Sequence, residues 1–152
     1  MGTETTYHRR RRGWFALLAA VAAGLLAWRA RPFRAVVRGP SMEPALADGD
    51  VVLALRGRTP RTGDVVVVEH PDRAGFELVK RVAGSPGDVI DLLRNGSRLP
   101  DPLPLRAGEW FVVGDAPGRS TDSRTFGPVE RGHVLGVVVF VLAPAGRRGL
   151  VR

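Results

Sequence analysis

Cysteine is absent from the 152 residues of the chain, so disulfide bonds and thiol catalysis are both excluded. Lysine is almost absent, because 22 of the 23 basic residues are arginine and Lys80 is the exception. Histidine occurs three times, as His8, His70 and His133, and none stands in a recognisable Ser-His context. No long amphipathic helix is visible. These absences leave few side chains that could act as a base.

Because Lys80 is the single lysine among 23 basic residues, it marks a position where arginine would not have the same chemical role. Arginine stays protonated in proteins, whereas a buried lysine can lose its proton near neutral pH. If residues 77–83 form a strand, Leu78 and Val82 share the face of Lys80, and an apolar face lowers the pKa of an amine. The alternative is a lysine whose ammonium group reaches back to water.

Ser41 lies between Pro40 and Pro44, two residues that restrict the backbone around it. A serine hydroxyl becomes a useful nucleophile when a neighbouring base takes its proton. With histidine unpromising, a Ser41–Lys80 dyad is the better candidate for nucleophilic catalysis. The alternative is an ordinary turn serine.

The formal net charge of +8 is concentrated at the N-terminus. The first 40 residues hold eight arginines and one acidic residue, whereas the remainder is nearly neutral, with 15 basic and 14 acidic residues. Anionic lipid headgroups explain this placement better than nucleic acid does, because the remainder has no excess of positive charge. We therefore expect a membrane partner and no nucleic acid.

The N-terminal segment predicts a basic tail over residues 1–12 and a transmembrane anchor over residues 13–30. Residues 14–28 carry no charge, and tryptophans at both ends fit interfacial anchors. A cleaved signal peptide is the rival interpretation, but Trp28 and Arg29 stand where small residues are wanted. Arginines flank the segment on both sides, so charge alone does not fix the orientation.

Residues 35–145 predict one compact all-β domain, followed by a short tail over residues 146–152. Short valine-rich runs alternate with Gly, Pro and Asp, as strands and their turns do. The candidate strands are residues 35–38, 50–55, 64–69, 77–83, 89–93, 110–113 and 133–142. Asn95-Gly96 predicts a tight hairpin turn. Pro100, Pro102 and Pro104 are interpreted as breakers between strands, and the Pro/Leu tract 99–105 is too short for a linker between domains.

A polar loop over residues 114–128 carries much of the remaining chemistry. Asp122 and Arg124 are close enough in sequence to pair, and Ser120 or Ser123 could hydrogen-bond a neutral lysine. A catalytic base needs such an orienting group. The alternative is a solvated Gly/Ser/Asp loop.

Three stretches in this order resemble the type I signal peptidase family. Residues 39–46, with the core Ser41-Met42-Glu43-Pro44, resemble its nucleophile box, and residues 48–50 and 63–66 resemble the segments that follow. Residues 80–88 resemble the lysine box, and residues 114–127 resemble the last box. The similarity spans most of residues 36–140.

The resemblance implies a β-domain of the signal-peptidase and LexA-like kind, behind one N-terminal transmembrane helix. It implies a Ser-Lys endopeptidase that needs no metal or cofactor and clips signal peptides from secretory precursors after small residues, as in Ala-x-Ala. Ser41 would be the nucleophile, its N–H an oxyanion donor, and Lys80 the general base. Ser120 would orient the lysine, with structural support from Asp122, Arg124, Gly114 and Asp115. The family also implies a plasma-membrane protein with a cytoplasmic N-terminus and an external domain.

Two departures from the family pattern stand out. Some members have a serine two residues before the nucleophile, where this chain has Gly39, and the usual Gly-Asp-Asn-Arg is here Gly114-Asp115-Ala116-Pro117.

Two alternative functions remain open. One is a specialised maturation protease of the same superfamily, such as those that process nickel superoxide dismutase. The other is a catalytically inactive, anchored β-domain that binds partners. The sequence leaves the oligomeric state open.

Overall fold

The computed structural model describes residues 15, 18, 20, 21, 24, 31–92 and 98–151, with the side chains of residues 92 and 98–100 left out. The chain divides into two compact units, Met1–Arg31 and Pro32–Arg152. In the first unit the five described positions from 15 to 24 are helical. Within the described residues, no helix has the length and apolar character needed to cross a membrane. Most of the predicted tail and anchor, residues 1–12 and 13–30, lies outside the described residues.

Strands make up most of the regular secondary structure described in the second unit. In chain order they are β1 Pro32–Val36, β2 Val51–Leu55, β3 Val65–His70, β4 Arg73–Gly84, β5 Val89–Leu92, β6 Arg98–Pro104, β7 Glu109–Val113, β8 Val129–Glu130, β9 Val134–Ala143 and β10 Gly149–Leu150. The helical elements described are a single-turn α-helix, α1 Ser123–Phe126, and 3₁₀ turns at Pro117–Arg119, Arg131–His133 and Ala145–Arg147.

One sheet of eight strands organises this unit, in the order β1-β2-β9-β3-β4-β7-β8, with β10 paired to β9. Strands β5 and β6 form a separate two-stranded sheet. Pairing between strands is antiparallel throughout the described ladders. The small sheet packs on the main one through an apolar cluster that includes Ile90, Leu105 and Phe111.

The two faces of the main sheet bury separate apolar cores. Valine is favoured on such pleated surfaces, and strand side chains alternate between faces. Val65 and Val67 accordingly belong to one cluster, together with Met42, whereas Val66 and Val68 belong to the other. Because both faces of β3 are covered, this strand reads as a continuous apolar run rather than an alternating one.

The prediction of an all-β fold is confirmed for the described part of the chain, and each of the seven predicted strands overlaps an observed one. The interpretation of Pro100, Pro102 and Pro104 as breakers between strands is wrong, because all three lie within β6. Leu105, the residue after β6, exchanges backbone hydrogen bonds with Gly87 and Asp88, just before β5. The neighbouring Pro104 is exposed at the edge of this two-stranded sheet. Proline is tolerated on such an edge because no ladder hydrogen bond is lost. The predicted Asn95-Gly96 turn lies outside the described residues.

Candidate active site

Ser41 and Lys80 meet although 39 residues separate them in sequence. Lys80 Nζ lies 2.7 Å from Ser41 Oγ, which is within hydrogen-bond reach. Lys80 projects from the middle of β4, opposite Val66 of β3. Ser41 lies in the turn region between β1 and β2. The two predicted dyad residues are therefore in contact, and the contact is made by their reactive atoms.

The surroundings of Lys80 favour its neutral amine. The side chain is 3% exposed, and Leu78 and Val82 on the same strand face pack in the apolar cluster beside it. Burial lowers the pKa of Lys80 below the ordinary lysine value; the negative charge of Asp122 raises it, and the positive charge of Arg124 lowers it further. The net direction is downward because desolvation of the ammonium form is the largest effect.

The turn that carries Ser41 is held rigidly on both sides. Met42, the next residue, is fully buried in the core beneath the sheet, together with Leu46. Gly39 adopts φ +76°, a left-handed conformation that strains any residue with a Cβ, and its N–H donates to Asp48 Oδ1 at 2.7 Å. This backbone conformation accounts for glycine at a position where some family members have serine.

The loop after β7 closes over the nucleophile turn. Ala116 N–H donates to the Ser41 carbonyl at 3.0 Å. Gly114 packs against the same carbonyl so closely that a Cβ at this position would lie 2.6 Å from the oxygen. An exposed ion pair, Arg119 Nη2 to Glu43 Oε2 at 3.0 Å, joins the same two segments further out. The loop is therefore built around the backbone of Ser41.

Asp122 connects the parts of this loop. Its fully buried carboxylate caps α1 by accepting from the Arg124 N–H, and it also accepts from Gly114 N–H at 2.8 Å and from Ser120 Oγ at 2.6 Å. Arg124 adds a two-pronged ion pair, with its shortest distance 2.6 Å. Burial raises the pKa of Asp122, but hydrogen bonds from Arg124, Ser120 and Gly114 together outweigh it and hold the pKa below the ordinary value.

Ser120, the residue predicted to orient the lysine, lies in this cluster. A Cβ on Gly114 would come 2.2 Å from its Oγ, so the hydroxyl sits against the loop that covers Ser41. Its hydrogen bond goes to Asp122, and the described residues show no direct bond from Ser120 to Lys80. The orienting role of Ser120 stays a prediction.

A second ion pair, which the sequence alone did not predict, involves the residue that follows Lys80 on β4. Arg81 follows Lys80, and its guanidinium holds Asp115 through Nε at 2.9 Å and Nη2 at 2.7 Å. It also donates to the Gly63 carbonyl. Asp115 was predicted as structural support without a partner. Strand alternation points Arg81 to the face opposite that of Lys80, but it does not identify Asp115 as the partner.

An open cleft of about 560 Å³ leads along the sheet to the dyad. Its walls are residues 34–38, at and beyond the end of β1, and residues 75–80 of β4. Within the described ladders, β1 pairs only with β2, and residues of β4 before Arg81 pair only with β3. The cleft is therefore bounded by two strand edges whose backbone N–H and C=O groups are not paired with a further strand in the described ladders.

The described residues hold no group of three or more His, Asp or Glu side chains arranged to bind a metal ion.

The family model for signal peptidases of peptidase family S26 matches residues 10–99 and 92–143. The chain belongs to this family. Membership of a peptidase family supports the interpretation of this chain as a protease. The matched residues include the turn that carries Ser41, the strand that carries Lys80 and the loop after β7. The resemblance stated from the sequence motifs is thereby confirmed.

Three relatives of this S26 chain are named as mitochondrial inner membrane proteases. The mitochondrial ATP-independent inner membrane protease subunit 1b of Arabidopsis thaliana is 37% identical over 121 residues, covering 74% of this chain and 70% of the relative. The human mitochondrial inner membrane protease subunit 1 is 32% identical, covering 75% and 71%. Subunit 1 of Schizosaccharomyces pombe is 38% identical over 107 residues, covering 66% and 67%.

Proposed function

We propose that this chain is a membrane-anchored serine endopeptidase that removes signal peptides from exported proteins. The observation that carries the proposal is the 2.7 Å separation of Ser41 Oγ and a buried Lys80 Nζ. Family membership supports proteolysis, and the geometry supplies a nucleophile and a base for it.

The reaction is acyl transfer in two halves. Neutral Lys80 takes the Ser41 hydroxyl proton as Oγ bonds to the peptide carbonyl carbon, and the resulting ammonium returns that proton to the departing amine as the C–N bond breaks. Lys80 then takes a proton from water, whose oxygen attacks the acyl carbon and releases Ser41 Oγ. The ammonium formed on Lys80 restores the serine hydroxyl and leaves the amine neutral again.

The oxyanion that forms on the carbonyl needs hydrogen-bond donors. Pro40 has no N–H, and Gly39 N–H is already bonded to Asp48. No acceptor for the Ser41 N–H is found among the described residues, so this N–H is available to the substrate. We assign it as one oxyanion donor.

The substrate binds as an added strand in the cleft, a mode in which backbone hydrogen bonds give affinity and alternate side-chain pockets give selectivity. Side chains that enter toward the core meet Ala35, Val37 and Val79, which belong to or pack against the apolar cluster there. The Cβ-branched valines narrow this floor. Small apolar side chains on either side of one residue, as in Ala-x-Ala, fit such a surface.

We further propose a plasma membrane location with a single span over residues 13–30, a cytoplasmic N-terminus and an external peptidase domain. The uncharged, tryptophan-bounded segment supports the span. The curated relatives are named as inner membrane proteases, which supports membrane association.

The test is cleavage of a secretory precursor bearing an Ala-x-Ala site by the full chain in detergent, compared with Ser41→Ala and Lys80→Arg. We expect Ser41→Ala to abolish cleavage and Lys80→Arg to reduce it by about 10²–10⁴-fold, because guanidinium cannot lose its proton. Circular dichroism and thermal unfolding check that both variants remain folded. An active Lys80→Arg enzyme would reject the base, and an active Ser41→Ala enzyme would reject the nucleophile.

A further inference from the structure

The β1 wall of the cleft presents two different surfaces. Ala35 and Val37 are buried in the core, whereas the alternate residues Arg34, Val36 and Arg38 are exposed. This is the period of two expected of an extended chain, and it continues past the end of β1 to the turn that carries Ser41. We call Arg34, Val36 and Arg38 the outer row of β1.

The outer row carries positive charge without an ion-pair partner. In the part of the chain that the structure describes, neither Arg34 nor Arg38 makes a salt bridge or side-chain hydrogen bond, although both line the cleft. This differs from the guanidinium groups of Arg81, Arg124 and Arg147, each of which is paired with a carboxylate. Two cations are therefore left facing the space that a substrate would occupy.

The charged group on the opposite wall does not share this surface. Glu77 is the acidic residue that lines the cleft, and it lies two positions before Val79 on β4. Val79 packs against the core that contains Ala35 and Val37, so strand alternation places Glu77, which is itself exposed, on the strand face of Val79 rather than on the face of the outer row. The other face of β4 presents Phe76, which is 47% exposed, and Leu78, which packs against the second apolar core. Lys80, the remaining titratable group of the cleft, is held beside Ser41.

A bound extended peptide must alternate in the same way. Where its side chains on either side of one residue enter the apolar floor, the residue between them points to the outer side. Arg38 is three residues from Ser41, so it is the outer-row cation nearest the scissile bond. Arg34, four residues earlier, lies about 13 Å further along an extended chain.

We propose that the outer row of β1 makes this protease selective for charge at the outward-facing substrate positions. An acidic residue at the middle position of a small-x-small site is preferred over a basic one, through Arg38. This inference rests on the proposed function, and it adds a specificity determinant to the same cleft. The occupant is a peptide carboxylate rather than a lipid headgroup, because both arginines line the cleft that ends at the dyad.

The test uses three precursors that differ at one residue, with Ala-Asp-Ala, Ala-Gln-Ala or Ala-Lys-Ala before the cleavage point. For an exposed ion pair we expect kcat/KM of the wild type to fall by about two- to fivefold from Asp to Lys. Arg38→Glu should reverse the order. The preference should shrink in about 1 M salt, where charges on the surface are screened.

Arg58→Glu is the matched control, because Arg58 is exposed, lies in the loop between β2 and β3, and makes the same change in net charge away from the cleft. It should keep the wild-type order. Equal cleavage of the three precursors by the wild type would overturn the charge preference while leaving the peptidase intact. Equal loss on all three in Arg38→Glu would also overturn it. Failure of the wild type to cleave any precursor would instead refute the proposed function.

Discussion

Replacing Gly114 by alanine tests whether the loop after β7 positions the nucleophile. An added Cβ would lie 2.6 Å from the Ser41 carbonyl oxygen, and 2.2 Å and 2.5 Å from Oγ and Cβ of Ser120. Ser120 could in part rotate away. The Ser41 carbonyl cannot, because it belongs to a turn fixed by buried Met42 and accepts a hydrogen bond from Ala116 N–H.

The size of the effect follows from the displacement. To reach the shortest separation that real Cβ atoms show, 3.0 Å, the carbonyl must retreat by about 0.4 Å, and to reach ordinary contact at 3.4 Å by about 0.8 Å. Overpacking of this kind costs about 1–3 kcal/mol of stability. A misplacement near 1 Å in a catalytic group costs about 10²-fold in rate. We expect kcat/KM to fall by about 10- to 100-fold in Gly114→Ala.

Gly118→Ala is the matched control, since this glycine belongs to the same loop and a Cβ there would meet no atom within 4 Å. Both variants are assayed for precursor cleavage and thermal unfolding at a temperature where each is folded. Gly118→Ala should retain wild-type cleavage. A Gly114→Ala enzyme with wild-type kcat/KM would show that the Ser41 backbone tolerates displacement, and the argument from close packing would be refuted.

Two further predictions concern charge. Cleavage by the wild type should increase with pH through a midpoint below the ordinary lysine pKa of 10.5, because burial lowers the pKa of Lys80; a midpoint at or above 10.5 would contradict this. Asp122→Asn should reduce the free energy of unfolding by about 1–3 kcal/mol, since it leaves the partly buried Arg124 guanidinium without its ion-pair partner. The pKa of Asp122 is depressed, so its contribution is complete above the ordinary carboxyl value of 3.8 and is lost as pH falls through the folded pKa. Urea unfolding of both proteins should therefore show the difference shrinking at acid pH, and a constant difference would count against the ion pair.

Strands were predictable where valine and turn residues agree. β3 and β4 follow from short apolar runs bounded by Gly, Pro and Asp, and their ends shift by a few residues because strand ends depend on a partner. β6 was missed because its prolines argue locally against a strand. Proline lacks the N–H that would bond to a neighbouring strand, so it is tolerated where the strand has a free edge. Whether a strand has a free edge depends on tertiary structure.

The dyad was predictable by chemistry rather than by spacing. One lysine among arginines, and one serine between prolines, are signals that survive without knowledge of the fold. The Arg81–Asp115 pair and the Ala116 hydrogen bond to Ser41 gave no such signal. These contacts join segments 34 and 75 residues apart, and arginine and aspartate are too common for either to stand out. Their geometry comes from the sheet that places β4 beside β7.

The charges of Asp122 and Arg124, which shift the pKa of Lys80 in opposite directions, explain why the site needs an ion pair rather than a single carboxylate. Asp122 holds the loop, but its negative charge alone stabilises the ammonium form and so raises the pKa of Lys80. Arg124 satisfies the same carboxylate and acts on Lys80 in the opposite direction. The pair therefore supplies the hydrogen bonds that Gly114, Ser120 and α1 require, while the positive charge of Arg124 partly offsets the effect of Asp122 on the pKa of Lys80. Burial then decides the pKa of Lys80. On this argument, Arg124→Gln, which keeps Asp122 charged, should move the midpoint of the pH profile upward, the direction in which a base becomes less available at neutral pH.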